Sequence, residues 1–182
     1  MVGKKNRILG IDPGSRVVGF ALLEKKRESS FNPKDFVVVD AGVLRADLAL
    51  PIIHRLGSLH NALHELVLEL KPTICVFEKS FSGENVATGI KLGLARGALM
   101  TAVLRCEILI EEVSPTQVKK NIAGHGRTSK EDLSLALKAL LGFDRGVLPF
   151  DATDAIAVAL CFGMQMGFYQ ATTQKNLIGV GR

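Results

Sequence analysis

Hydrophobic residues fall into two kinds of pattern along the chain. Compact apolar runs read as strands at Arg7 to Ile11, Val17 to Leu23, Phe36 to Leu44, Thr73 to Phe77 and Glu107 to Glu111. Asp12-Pro13-Gly14-Ser15 separates the first two, and Ser29, Ser30, Asn32 and Pro33 lie between the second and third, so these strands should be antiparallel neighbours. From Ile52 the spacing changes. Ile52, Ile53, Leu56, Leu59, Leu63, Leu66, Val67 and Leu70 repeat at helical intervals until Lys71-Pro72 ends the helix. A second helix is expected from about Val86 to Arg105 and a short one from Pro115 to Ile122. In the next helix Thr128 and Glu131 form a capping box, Leu133, Ala136, Leu137, Leu140 and Leu141 face the core, and Gly142 is the stop. A last long helix, apolar on most of its circumference, begins near Asp151. Three strands followed by helix, strand, helix, strand and helices predict an α/β fold with a mixed five-stranded sheet flanked by helices. No repeat or linker interrupts it, so residues 1–182 read as one domain, with a flexible tail expected from about residue 171.

Composition narrows the class. A chain of 182 residues, 47% apolar and 23% charged, has the balance of a globular protein with its own core, which excludes a disordered or collagen-like one. No uncharged apolar stretch approaches the ~18–20 residues of a bilayer span, and the N-terminus has basic residues but no apolar signal segment. Cys75, Cys106 and Cys161 are odd in number and each sits in an apolar run, as reduced core thiols do. A cytoplasmic location without a membrane partner is the expectation. Lys and Arg outnumber Asp and Glu by 23 to 18, for a net charge of +5. The distribution says more than the total. Val113 to Lys130 holds Lys119, Lys120, Arg127 and Lys130 without an acid, and Asn85 to Cys106 and Ala155 to the C-terminus are also acid-free. Such surfaces suit a polyanion.

Four carboxylates occupy the ends of buried elements: Asp12 after the first strand, Glu78 after the fourth, and Asp151 and Asp154 three residues apart on the first turn of the last helix. Singly, each has an ordinary explanation as a turn residue, a solvated strand end or a helix cap. Together they would repel one another and raise each other's pKa unless cations joined them. Hard divalent ions favour such oxygens, and a pair of them suits phosphodiester cleavage.

Six separated motifs then carry a resemblance that runs from about Arg7 to Met164. They are Ile8-Leu9-Gly10-Ile11-Asp12-Pro13-Gly14-Ser15, Phe77-Glu78-Lys79-Ser80-Phe81, Lys91-Leu92-Gly93-Leu94-Ala95-Arg96-Gly97, Pro115-Thr116-Gln117-Val118-Lys119, Gly124-His125-Gly126-Arg127 and Asp151-Ala152-Thr153-Asp154-Ala155. In this order they resemble the RuvC family of Holliday-junction resolvases. The resemblance implies an RNase H-like fold and a homodimer that nicks two strands of a four-way DNA junction at symmetric positions, in recombination and repair. It implies two-metal-ion hydrolysis with two Mg²⁺ per active site, Mn²⁺ substituting, and Asp12, Glu78, Asp151 and Asp154 as catalytic metal ligands. It further implies Phe81 at the opened junction centre, Lys119, Lys130 and Arg127 on the DNA, and a branch-migration motor (RuvA and RuvB) as a partner. Phe81 in its polar loop would stack well on a base. Glu84 departs from the family's neutral or basic residue, and a carboxylate there repels phosphate.

Three other readings fit the residues less well. An actin-like ATPase ordinarily needs two such halves, a non-catalytic junction binder would have no need of all four carboxylates, and an RNA–DNA hybrid nuclease differs only in substrate. Gly14-Ser15 lacks the rest of a P-loop. His60 and His64 have metal-ligand spacing but no third partner, and are expected on a solvated helix face. Gly89, Gly93 and Gly97 form a smooth stripe suited to helix-on-sheet packing or to a subunit contact.

Overall fold

The computed structural model describes residues 6–26, 32–79, 86–124, 129–142 and 148–178, without the side chains of Lys130 and of 167–178. Five strands, β1 (Arg7–Asp12), β2 (Val17–Lys25), β3 (Phe36–Arg45), β4 (Ile74–Glu78) and β5 (Leu109–Val113), form one sheet in the order β3-β2-β1-β4-β5. β1 pairs antiparallel with β2, and β2 with β3; β1–β4 and β4–β5 are parallel. The helices are α1 (Ile52–Leu70), α2 (Val86–Leu104), α3 (Pro115–Ala123), α4 (Lys130–Leu141) and α5 (Phe150–Ile178). The mixed five-stranded sheet flanked by helices is as the hydrophobic pattern requires.

Strand alternation divides the core in two. Ile8, Ala21, Leu23, Val76 and Val113 face α3, α4 and α5, while Leu9, Ile11, Leu22, Cys75 and Phe77 face α1 and α2. The first side is closed unusually tightly. A Cβ on Gly10 of β1 would overlap the carbonyl oxygen of Ala155 and lie 2.9 Å from the Cβ of Ala159, and one on Gly19 of β2 would overlap the carbonyl of Asp151. Only glycine lets the α5 backbone lie directly on the strands. On the other side α1 buries Leu56, Leu59, Leu63, Val67 and Leu70. α2 buries Ala95, Leu99, Ala102 and Val103 and leaves Val86, Ile90 and Leu94 exposed.

Several element ends differ from the sequence reading. β5 lies two residues later than expected, because the chain leaving α2 first turns through Glu107 at φ 58°. The capping box belongs to α3: the Ser114 side chain accepts from the Gln117 amide and Gln117 reaches back to the Ser114 amide. α4 is capped by Ser129, which accepts from the Asp132 amide, so the cap falls one residue after Thr128, itself outside the described residues. Gly142 ends α4 in the left-handed region as foreseen, and α5 begins at Phe150, one residue before Asp151. Among the described residues α2 alone is long and apolar enough to cross a membrane, yet it carries Lys91 and Arg96 and is bonded into the fold through Arg96.

Candidate active site

Strand register brings the first two carboxylates together. Ile8, Gly10 and Asp12 point to the α5 side of β1, and Ile74, Val76 and Glu78 point to the same side of β4. Ile8 pairs with Ile74 and Gly10 with Val76, so one further step along the two adjacent parallel strands sets Asp12 beside Glu78. Past Asp12 the chain must turn at once into β2. Gly14 makes this possible, since a Cβ there would strike the Val17 carbonyl.

α5 brings the third. Its first turns lie across Gly19 and Gly10, which carries Asp154 to the open end of β1 and β4. Asp12, Glu78 and Asp154 line one cleft of about 260 Å³ together with Lys119, Pro115 and Val118 of α3, Ser129, and Leu133 of α4. Asp151 is half-buried one turn earlier on α5, with its carbonyl against Gly19, and is not among the cleft-lining residues. The structure thus brings together three of the four expected carboxylates and Lys119. Phe81, Glu84 and Arg127 lie outside the described residues; Lys130 opens α4, its side chain likewise outside them.

The donor set suits a hard divalent cation. All three acidic groups offer carboxylate oxygen, with no thiol or imidazole among the lining residues. Among the described residues no three His, Cys, Asp or Glu side chains are already drawn around a single point. Like charges along one cleft repel at any spacing, and a divalent ion is what removes that repulsion. The positive end of the α5 dipole lies at the same place and favours both carboxylate and phosphate. Lys119 supplies a point charge on the α3 wall.

The cysteines stay out of this chemistry. Burial pushes the Cys75 thiol up to about 12 and the Cys161 thiol to about 11, so both are protonated and poor metal ligands at neutral pH. His60 and His64 depart from expectation. Instead of a solvated face they occupy the α1–α2 seam, half-buried, where Nδ1 of each donates to an α2 carbonyl: Ala98 at 2.8 Å and Ala102 at 3.2 Å. Their spacing serves helix pairing.

The sequence reading missed one functional neighbour. Arg96 of α2 donates to the backbone carbonyl of Glu78 and pairs with the carboxylate of Glu112 on β5. It stands within one of the six motifs, but only the fold discloses what it touches.

Comparisons with known proteins identify the family. The family model described as crossover junction endodeoxyribonuclease RuvC matches residues 8–162. A protein of that name from Chlorobium phaeovibrioides is 33% identical over 174 residues, covering 96% of this chain and 89% of the relative. Another from Halorhodospira halophila is 38% identical over 155 residues, covering 85% and 88%. Among solved structures, Thermus thermophilus RuvC in complex with Holliday junction substrate matches with a TM-score of 0.78 at 26% identity, over 88% of this chain and 94% of that one. The yeast mitochondrial Holliday junction resolvase Ydc2 shares the fold at 14% identity and a TM-score of 0.64, over 93% of this chain and 84% of its own. With strands, cleft and carboxylates arranged in this way and the match running almost end to end, the chain belongs to the RuvC family of crossover junction endodeoxyribonucleases, nucleases with an RNase H-like fold.

Proposed function

We propose that the protein resolves four-way DNA junctions by paired symmetric nicks, acting as a homodimer with two Mg²⁺ per active site for which Mn²⁺ can substitute. The observation that carries this reading is the single cleft lined by Asp12, Glu78, Asp154 and Lys119, contributed by β1, β4, α5 and α3. Asp151, three residues before Asp154, shares its helical face and completes the ligand set. A divalent ion bound there supplies Lewis-acid stabilisation of the charge that develops on phosphate and lowers the pKa of bound water. The remaining work falls to the chain itself. Asp12 and Glu78, on neighbouring strands, hold the cation, and Asp154 approaches from the helix. Lys119 fixes a phosphate on the opposite wall. Lys130 and Arg127 extend that basic surface, and Phe81 stacks at the opened junction centre.

The dimer reading rests on α2. Val86, Ile90, Gly93, Leu94 and Gly97 follow helical spacing on one exposed face, and the two glycines would have nothing within 4 Å of an added Cβ. A second copy of the chain laid along this stripe would bury it and give two active sites related by a twofold axis, as a symmetric junction demands. Protonated thiols fit the cytoplasm, and family membership makes a branch-migration motor (RuvA and RuvB) the expected partner.

The test is cleavage of a synthetic immobile four-way junction in Mg²⁺, beside linear duplex of the same sequence and the Asp12→Asn variant. Symmetric nicks in the junction alone, by the wild type alone, with binding retained by Asp12→Asn, are the expected result. A junction bound but left whole across several sequences and in Mn²⁺ would refute it.

A further inference from the structure

We propose that Arg96 is a positioning residue for the cleavage reaction: reaching from α2, on the side of the sheet away from the cleft, its guanidinium holds the end of β4 and thereby sets how the Glu78 carboxylate enters the cleft. The inference rests on the reading of Glu78 as a metal ligand and adds what holds that ligand.

Strand alternation supplies the geometry. Glu78 shares its side of β4 with Ile74 and Val76, facing α5, whereas Cys75 and Phe77 face α1 and α2. Glu112 on β5 points to the α2 side, as Ile110 does. Arg96 rises from α2 between them. It donates through one terminal nitrogen to the Glu78 backbone carbonyl and through the other to the Glu112 carboxylate. Glu78 is thus gripped by its main chain from behind while its side chain faces the cleft.

The grip falls at the end of β4. The β1–β4 ladder runs to Ile11 and Phe77, one residue short of Glu78. On the other flank the Lys79 amide still donates to the Val113 carbonyl, at 2.8 Å. Glu78 therefore stands at the last residue of β4, one position beyond its last registered pair with β1 and paired with Val113 of β5. Two fork nitrogens on two partners give Arg96 a fixed geometry that a lysine lacks. Its side chain is only 17% exposed, and burial lowers its pKa from the usual arginine value, though a guanidinium remains charged. A half-buried cation whose two terminal nitrogens are committed inside the protein is placed for architecture rather than for phosphate. Mg²⁺ demands oxygens near 2.1 Å in octahedral array, so a ligand carboxylate whose backbone drifts loses affinity steeply.

Mn²⁺ binding to the free protein, followed by the electron paramagnetic resonance signal of unbound Mn²⁺, reads this out without turnover. Arg96→Gln should weaken Mn²⁺ binding about fivefold or more and raise the Mg²⁺ needed for half-maximal junction cleavage by a similar factor. Junction affinity measured in Ca²⁺ should not change. Arg96→Lys should recover part of the loss, and Glu112→Gln, at an exposed carboxylate, should show a smaller one of about twofold. Because Arg96 acts through Glu78, the double variant Arg96→Gln/Glu78→Gln should bind Mn²⁺ no more weakly than Glu78→Gln alone.

Unchanged Mn²⁺ affinity and Mg²⁺ requirement in a folded Arg96→Gln protein would overturn the proposal, as would losses that simply add in the double variant. If Arg96→Gln does not fold, Glu112→Gln decides, and an unaltered Mg²⁺ requirement there overturns it. A wild type that binds Mn²⁺ but leaves junctions whole would refute the substrate reading and leave this comparison standing. One that binds no Mn²⁺ would refute both.

Discussion

On one side of the sheet, α5 meets β1 and β2 through Gly10 and Gly19, helix backbone against strand backbone, with Ala155, Ala159 and their neighbours fully buried. On the other, α1 and α2 meet the sheet through leucines and valines, and their own seam is fastened by His60 and His64 donating to α2 carbonyls. The first interface has no slack, since a single methyl group does not fit. The second has an outer surface of exposed apolar side chains and glycines with open space around them. The difference follows from what each side carries. The tight side sets the spacing between Asp12 and the α5 carboxylates, where tenths of an ångström matter. The looser side carries the helix face assigned to the second subunit and touches the backbone of a cleft residue through Arg96.

Adding a methyl group to each side breaks the comparison most directly. Gly19→Ala drives a Cβ into the Asp151 carbonyl, so α5 must lift from the sheet. Overpacking of this kind costs about 3 kcal/mol in stability and should abolish cleavage, because Asp154 moves away from Asp12. Urea denaturation and junction nicking check this; retention of wild-type stability would disprove the seam's role.

The buried thiols come next. Cys75, on the α1–α2 side, and Cys161 of α5 both have folded pKa values above the ordinary 9.0, near 12 and 11. Below pH 9 the thiols are protonated in both folded and unfolded states. Above it the unfolded chain ionises first, so stability should fall by about 1.4 kcal/mol per pH unit for each thiol until its folded pKa is reached. Denaturation at pH 8 and pH 10.5 measures the slope, and Cys75→Ala should lower the baseline but flatten the slope. An unchanged slope would show that Cys75 does not set it.

Ser114→Ala removes the α3 cap and should cost about 1 kcal/mol, with a modest loss of cleavage as the turn preceding Lys119 loosens. Urea midpoints together with nicking rates test it. The smallest effect carries the opposite sign. Gly97→Ala meets no neighbour within 4 Å, so helix propensity should raise monomer stability by up to about 1 kcal/mol. The same methyl group should weaken dimerisation, seen by sedimentation at falling concentration. A destabilised monomer would mean that α2 is packed more closely than its exposed glycines indicate.

Periodicity made most of the architecture legible, because each strand and helix carries its own buried face. β5 was misplaced because it is an edge strand in which Leu109, Glu111 and Glu112 are exposed, so its apolar signal is faint and the turn at Glu107 blurs its start. Ser114 and Gln117 spell a capping box as plainly as Thr128 and Glu131, and the first is formed while Ser129 serves as the cap of α4, since several pairs satisfy the local rule. The carboxylates could be picked out as a set because each ends a buried element. Which of them share a cleft depends on how α5 is rotated on two glycines of β1 and β2, far from it in sequence, and no local pattern encodes that. Contacts of this non-local kind also hid the role of His60 and His64, and that of Arg96.

The pairing of β1 bears on which changes in chain length the protein can accept. Side chains alternate along a strand, so one residue inserted between Gly10 and Asp12 would turn Asp12 to the α1–α2 side and bring a bulkier residue under α5. A single deletion in the first turn of α5 would swing Asp154 by about 100° around the helix axis. Changes of length outside these two counts leave the register of every carboxylate intact. Relatives should therefore keep fixed counts from Gly10 to Asp12 and from Asp151 to Ala159, whatever their overall length.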